Sequence, residues 1–154
     1  DVNIYFTNNH ILFEFDDTIV VSRLIEATNY FDTDKMISND YKTKITINKK
    51  EMADCIDRAT LLIKEGDKKP VFLTIKDTEM ELSINTFIGS MDESIPISKE
   101  GSDIMISFNP KFLIDILKVL DQEQVSIFFT NPKAPCFIRD EENSYIYIVL
   151  PVVQ

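Results

Sequence analysis

The side chains that could do chemistry in this sequence are few and lie far apart. His10 is the only histidine, and it ends the stretch TNNH, a predicted turn in which a histidine is usually a surface residue. Cys55 and Cys136 lie in apolar contexts without a CxxC spacing, which favours buried packing over a disulfide, a metal site or a nucleophile. The sequence has no GxGxxG, P-loop or HExxH motif. We therefore expect no catalytic residue, no metal site and no cofactor.

Charged side chains on two predicted helices offer a different chemistry, contact with a phosphate backbone. Four cations lie outside the apolar stripes of these helices: Lys50, Arg58, Lys111 and Lys118. Acidic runs at 16–17 and 140–143 fall in predicted hairpin turns, where solvation explains them. Aspartates also share the helix faces, and the chain carries a net charge of −10. The alternative to nucleic-acid contact is an ordinary solvated helix face, and composition alone favours the solvated face.

The stretch SYIYIVLPVVQ offers a third possibility, an apolar binding surface. It is apolar almost to its last residue, whereas chain ends are commonly polar and frayed. Pro151 cannot donate a hydrogen bond to a strand ladder, so the residues around it are expected to leave the sheet. We predict that Leu150, Val152 and Val153 lie at the surface and form a hydrophobic groove, with a closing strand as the alternative.

The elements that position these residues are predicted from two internal repeats. VNIYFTN at residues 2–8 returns as VSIFFTN at 125–131, and each copy leads into a hairpin pattern. Residues 45–62 and 106–120 each read as a strand, a capping asparagine and a helix, offset by about 61 residues. A strand, a helix and a meander of strands therefore form one half-unit, and two half-units form one domain.

The predicted helices are amphipathic and should lie on a sheet. Their expected core residues recur at spacings of three and four: Met52, Cys55, Ile56, Ala59 and Ile63 in the first helix, and Leu113, Ile116, Leu117 and Leu120 in the second. The fold class is therefore α+β. Residues 39–154 make one complete domain, and residues 1–38 supply only the closing strands of a preceding copy, so we interpret the chain as part of a longer protein.

Overall composition predicts a soluble globular protein. With 154 residues, 44% of them hydrophobic, the chain can bury a substantial core. No apolar run approaches the ~20 residues that cross a bilayer. The first residues have neither the basic start nor the apolar stretch of a signal peptide. We expect a cytoplasmic protein without membrane contact.

Several of these stretches resemble the bacterial DNA polymerase III beta subunit, the sliding clamp. The resemblance rests on ISFNPKFLIDILKVL, NPKAPCFI, SYIYIVLPV and SRLIE followed by DTDKMI. It implies the DNA-clamp fold, in which pseudo-symmetric strand-helix-meander half-units place two helices on antiparallel sheets. Residues 1–38 would be the closing strands of the middle domain with the interdomain linker, and residues 39–154 the complete third domain.

The resemblance also implies a function. Clamps of this family are non-catalytic processivity factors of the replicative polymerase, in which two chains join head to tail in a homodimeric ring around duplex DNA of any sequence. They tether polymerase and clamp loader subunits through short peptide motifs. The alternative is a clamp-fold adaptor that binds peptides without encircling DNA. A duplicated enzyme whose catalytic groups lie elsewhere is a third possibility.

Three sets of residues follow from the resemblance. The DNA-facing set is the four helix cations, and the dimer interface is Leu61, Leu62, Asp92 and Glu93. The expected groove residues are Phe31, Lys35, Met36, Pro135, Ile148, Val149, Leu150, Pro151, Val152 and Val153. The chain departs from the family pattern at Ala27, Phe31 and Val153, where Gly, Pro and Arg are usual.

Overall fold

The computed structural model describes residues 1–25, 37, 40–64 and 66–153. The chain divides into two compact units, Asp1–Ser38 and Asn39–Gln154. Within the described residues, no helix is both long and apolar enough to cross a membrane.

The first unit contains an antiparallel meander of three strands in the order β1-β2-β3. The strands are β1 (Asn3–Phe6), β2 (His10–Phe15) and β3 (Thr18–Arg23). The β2–β3 turn uses Asp16 at a φ of 48°, a left-handed conformation that aspartate tolerates. Ile4, Phe6 and Val21 are exposed. The unit therefore has little core of its own, as expected for an isolated sheet of this size.

The second unit contains an eight-stranded antiparallel sheet and two helices. Its first half runs through β4 (Thr43–Asn48), α1 (Lys49–Thr60), β5 (Val71–Lys76), β6 (Glu79–Thr86) and β7 (Gly89–Gly101). Its second half repeats this order through β8 (Ile104–Phe108), α2 (Pro110–Val119), β9 (Gln124–Phe129), β10 (Cys136–Arg139) and β11 (Ile146–Val149). The predicted half-units are therefore confirmed.

The two half-units exchange their first strands. The sheet order is β11-β10-β9-β4-β7-β6-β5-β8, so β4 pairs with β9 of the other half and β8 pairs with β5. Strand β7 is long enough to serve both sides, because its residues up to Pro96 pair with β6 and those from Ile97 onward pair with β4. The exchange merges the two halves into one continuous sheet.

Both helices begin at the predicted capping asparagine and bury one face. Asn48 Oδ1 accepts the Glu51 N–H at 3.0 Å, and Asn109 Oδ1 accepts the Lys111 N–H at 3.0 Å. The first helix buries Met52, Cys55, Ile56 and Ala59 as predicted, and the second buries Pro110, Leu113, Ile114 and Leu117.

Two of the predicted core residues, Ile63 and Ile116, pack against the core but are less buried than expected. Ile63 is only partly buried, because α1 ends at Thr60 and the stripe no longer applies. Ile114 is buried where Ile116 was expected, and Ile116 is partly buried. The stripe of α2 starts at Pro110, so the inward positions three, four and seven residues later do not include residue 116.

The helices lie side by side in opposite directions. At the start of α1, the Lys49 N–H donates to the carbonyl of Glu123 at 2.9 Å, and Lys49 Nζ donates to the carbonyl of Leu120 at 2.6 Å. Leu120 is the C-cap of α2, so this ammonium group satisfies a carbonyl at the negative end of the helix dipole. The start of α1 therefore lies at the end of α2.

Gly101 marks a close backbone approach at the end of β7. Its φ is +95°, and a Cβ placed there would lie 1.9 Å from the carbonyl oxygen of Lys42. Gly66 has a similar φ of +90°, but a Cβ there would meet nothing within 4 Å. Both glycines therefore adopt a conformation that would strain any residue with a side chain, but only at Gly101 would that side chain also clash with the backbone.

This pair of glycines predicts two different losses of stability. Gly66→Ala should lower the free energy of unfolding by about 1 kcal/mol from backbone strain. Gly101→Ala should lower it by at least about 2 kcal/mol, because the backbone at Lys42 must also move to make room for the added Cβ. Urea unfolding of the two variants measures both losses. Equal losses would mean that the approach to Lys42 relaxes without cost.

Candidate functional site

The tail of the chain spans the two edges of the sheet. Strand β11, at one edge, ends at Val149. Three residues later, the Val152 N–H donates to the carbonyl of Ser107 at 2.8 Å, and Ser107 Oγ donates to the carbonyl of Val152 at 2.8 Å. Ser107 belongs to β8, the opposite edge strand. The chain does leave β11 at the predicted place, but it then binds to β8.

The pseudo-symmetry of the domain explains this attachment. In the first half-unit, Thr46 of β4 faces Ser98 of β7. Residue 107 is the counterpart of Thr46 in the second repeat, so Val152 occupies the place that β7 takes beside β4. Pro151 interrupts the ladder just before that point because it has no N–H. The tail is therefore a surface segment that continues from the closing strand β11 and binds to β8 through Ser107, and the groove stays a prediction.

The tail presents some apolar side chains and buries others. Leu150 is 62% exposed, and Val152 and Val153 are also exposed, as predicted. Val149 is only 2% exposed and packs in the core, so the prediction that its side chain lines a groove is wrong. The reason is strand alternation, since Val149 lies on the inward side of β11 with Tyr147. Ile148, on the outward side, is half-buried and faces Phe137.

An apolar cleft of about 210 Å³ lies beside the attached tail. It lies wholly within the second unit, and its walls come from β5, β8, the β9–β10 connection and the tail. The lining residues are Phe72, Met105, Ile106, Ser107, Pro132, Lys133, Val152 and Val153. The cleft is therefore a preformed apolar surface next to the predicted groove residues.

The cleft contains residues that the sequence analysis missed. Met105 is 61% exposed and Phe72 is half-buried, and both occupy outward positions of strands that alternate between core and solvent. The sequence could have pointed to these two residues, because large apolar side chains at outward strand positions indicate an exposed apolar surface. Pro135 is partly buried and does not line this cleft. The expected groove residues Phe31, Lys35 and Met36 lie outside the described residues.

The predicted DNA-facing residues divide into two groups. Lys50, Lys111 and Lys118 are exposed on the helices. Arg58 is exposed too, but its guanidinium makes a two-pronged ion pair with Glu93, in which Nε lies 3.0 Å from Oε2 and Nη2 contacts Oε1. Such a paired guanidinium is poorly placed to bind a phosphate. Arg58 therefore joins α1 to β7 and does not offer a free cation.

The two cysteines are buried free thiols. Burial raises the pKa of Cys55 to about 11, and the negative charge of Glu93 adds to this effect. Burial raises the pKa of Cys136 to about 12. The carboxyl of Glu93 shows a downward shift instead: the hydrogen bonds that Arg58 donates to it lower its pKa. Both thiols are therefore neutral near pH 7, and the prediction of buried packing is confirmed.

The predicted dimer residues lie near the end of α1. Leu61, the C-cap of that helix, is 78% exposed, whereas Leu62 is partly buried against the core. Asp92 is exposed on β7, and Glu93 is engaged with Arg58. Leu61 thus stands out as an apolar side chain in water, but Leu62 has a structural role.

A second exposed apolar feature lies beside this helix end. Phe87, in the turn between β6 and β7, is 97% exposed, and its neighbour Ile88 is also exposed. The turn lies near the helix end, because Lys64 Nζ is 5.7 Å from the centre of the Phe87 ring and a Cβ at Gly89 would lie 3.5 Å from Leu62. We call Leu61, Phe87 and Ile88 the helix-end apolar surface. This surface could have been found in the sequence, because Phe87 and Ile88 form an apolar pair in a hairpin turn, where polar residues are usual.

Comparisons with known proteins agree with this architecture. A family model described as DNA polymerase III beta subunit, C-terminal domain, matches residues 34–153. The beta sliding clamp of Bacillus subtilis is 38% identical over 155 residues, covering 98% of this chain and 41% of that protein. A crystal structure from Eubacterium rectale, described as a DNA polymerase III beta subunit, is 64% identical with a TM-score of 0.86, covering 98% of this chain and 41% of that one. The beta subunit structure from Thermotoga maritima has a TM-score of 0.86 at 27% identity, covering 99% of this chain and 42% of that one.

The fold and its neighbours define the class of protein. Two half-units that exchange their first strands and carry an antiparallel pair of helices make a DNA-clamp domain. The predicted fold class is confirmed. The chain belongs to the DNA polymerase III beta subunit family, since the family model covers residues 34–153. It spans about 41% of the length of the curated relatives it matches.

Proposed function

We propose that this chain is part of a sliding clamp, the ring that keeps a replicative polymerase on its template. The observation that carries the proposal is the clamp-domain architecture together with the family match over residues 34–153. We assign residues 39–154 to the complete third domain. Residues 1–38 would be the closing strands of the middle domain and the interdomain linker, which accords with the open, exposed sheet of the first unit.

In this proposal the helices face duplex DNA and the sheet faces outward. Lys50, Lys111 and Lys118 are exposed cations on α1 and α2, so they can contact phosphates of any sequence. The role is non-catalytic, since a ring acts by topology and needs no reacting group. The full-length protein would form a head-to-tail homodimer in the cytoplasm. The helix-end apolar surface and Asp92 would contribute to the joint between the two chains.

The tail and the cleft beside it would hold the short peptide motif of a partner. Met105, Phe72 and Val152 provide apolar walls, and a motif with a glutamine and terminal Leu and Phe residues would bury its side chains against them. A short peptide with few hydrogen bonds to such a surface should bind with micromolar affinity. The partners of this kind are the replicative polymerase and clamp loader subunits.

A second candidate function is a clamp-fold adaptor that binds peptides without encircling DNA. The net charge of −10 favours it, and so does the pairing of Arg58 with Glu93, which removes one cation from the helix face. The two candidates differ in one physical property. A closed ring is linked to a circular duplex and leaves a linear one by sliding off its ends.

The test is retention of the full-length protein on DNA. Loaded onto nicked circular duplex, a ring should stay bound through gel filtration at 0.5 M salt, and linearisation of the circle should release it. Salt of this strength screens ordinary phosphate contacts, so retention would be topological. Equal loss from circular and linear DNA would support the adaptor and reject the ring.

A further inference from the structure

Two clefts of similar size lie at opposite ends of the helix pair. Each has a volume of about 510 Å³. One joins the end of α1 to the start of α2, and we call it the lysine cleft because Lys68, Lys69 and Lys111 line it. The other joins the start of α1 to the chain after α2, and Glu51, Asp54 and Glu123 line it with Lys49 and Lys50. The antiparallel packing of the helices places these clefts at opposite rims of the same surface.

The two clefts have opposite charge. Among its described lining residues, the lysine cleft has three lysines and a single carboxylate, that of Asp67. The opposite cleft has three carboxylates and two lysines, and the ammonium group of Lys49 is already bound to the carbonyl of Leu120. One end of the helix pair is therefore more positive than the other, and the net charge of −10 is not spread evenly over the surface.

The lysines of the lysine cleft are free to bind an external anion. Lys68, Lys69 and Lys111 are exposed, and none of them has an ion-pair partner within the described part of the chain. The backbone N–H of Lys111 is bound to the Asn109 side chain, so an anion would meet the ammonium groups and not the start of α2. Three cations around a concave surface can contact successive phosphates of one strand.

We propose that phosphate contact with duplex DNA is concentrated at the lysine cleft and is weak at the opposite end of the helices. The inference rests on the proposed clamp function and adds a direction to it. Duplex in the ring would lie closer to the rim that carries residues 68–69 than to the rim that carries residues 50–54. Lys68 and Lys69, which precede β5, then contribute more to DNA contact than Lys50 on the helix face.

The experiment compares matched alanine variants in the full-length protein. Affinity for a short blunt duplex, which enters the ring by its end, is measured by fluorescence anisotropy from 50 to 200 mM salt. Lys68→Ala/Lys69→Ala should weaken binding about tenfold at low salt and reduce the slope of log affinity against log salt by about 1 to 2. Lys50→Ala removes one cation at the opposite rim, so it should reduce the affinity and the slope by clearly less than half of the loss in the double variant. All of these side chains are exposed, and thermal unfolding of each variant checks that the fold is intact.

Two results would overturn the inference while leaving the clamp function in place. Equal losses in Lys50→Ala and in the double variant would mean that contact is not directional. An unchanged duplex affinity with impaired loading by the clamp loader would mean that these lysines bind a protein partner. Failure of the unmodified protein to stay on circular duplex would instead reject the clamp function itself.

Discussion

Replacing Leu150 with Asp should weaken binding of the partner peptide by at least about a hundredfold. Leu150 lies between β11 and the hydrogen-bonded Val152, and its side chain is mostly exposed to solvent. A bound peptide would cover this position with apolar side chains that cannot pair with a carboxylate. Burying an unpaired charge costs several kcal/mol, and each 1.4 kcal/mol corresponds to about a tenfold change in affinity. Folding should be little affected because the charge faces water in the free protein.

The measurement is a titration of a labelled peptide, carrying glutamine and terminal Leu and Phe, into the full-length protein. Val119→Asp is the matched control, because Val119 is an exposed apolar residue at the end of α2 and belongs neither to the tail nor to the lining of the cleft. It should bind the peptide as the unmodified protein does. Equal affinity of Leu150→Asp and the unmodified protein, or no binding at millimolar peptide, would show that the tail has only a structural role. Binding should also change little with salt, unlike contact with DNA.

The second large effect is expected at the joint between two chains. Leu61→Ala/Phe87→Ala in the full-length protein should raise the dissociation constant of the dimer by at least about a hundredfold. Each large apolar side chain that an interface buries contributes roughly 1.5 to 3 kcal/mol, so two of them account for a change of this size. Because both side chains are exposed in the single chain, the folded monomer loses little. Sedimentation velocity over a dilution series measures the constant.

Leu62 is a comparison residue that distinguishes an effect on the chain-to-chain contact from an effect on the core. It packs against the hydrophobic core of the second unit, so Leu62→Ala should lower the free energy of unfolding. Val119→Ala serves as the control for removing an exposed apolar side chain elsewhere. An unchanged dimer constant in Leu61→Ala/Phe87→Ala would remove the helix-end apolar surface from the joint.

Local features of the fold were predictable because they depend on neighbours in sequence. Asn48 and Asn109 cap the helices that follow them directly, and the stripe of α1 follows from helical spacing. The internal repeats extended this prediction to whole half-units, since a repeated order of elements indicates a repeated structure. The position of Ile114 in the core was missed because the stripe of α2 depends on where that helix begins.

Non-local features were not predictable in the same way. The exchange of β4 and β8 between the halves depends on which strands meet in space, and hydrophobic alternation does not specify partners. The Arg58–Glu93 ion pair joins residues that are 35 positions apart, so the sequence alone left Arg58 among the free cations. The attachment of Val152 to Ser107 likewise joins residues that are 45 positions apart. Each of these contacts changes the role assigned to a site residue.

The attachment of the tail to β8 also bears on solubility. An unpaired edge strand offers its N–H and C=O groups to any other chain in solution, and such edges template aggregation. Val152 satisfies the Ser107 carbonyl of this edge, and Pro151 ensures that the segment beside it cannot extend the ladder. The residues that form one wall of the cleft therefore also protect a sheet edge. A substitution at Val152 could change which peptides bind, but the backbone of residue 152 would still have to contact Ser107. The side chain at this position is therefore freer to vary than the backbone conformation.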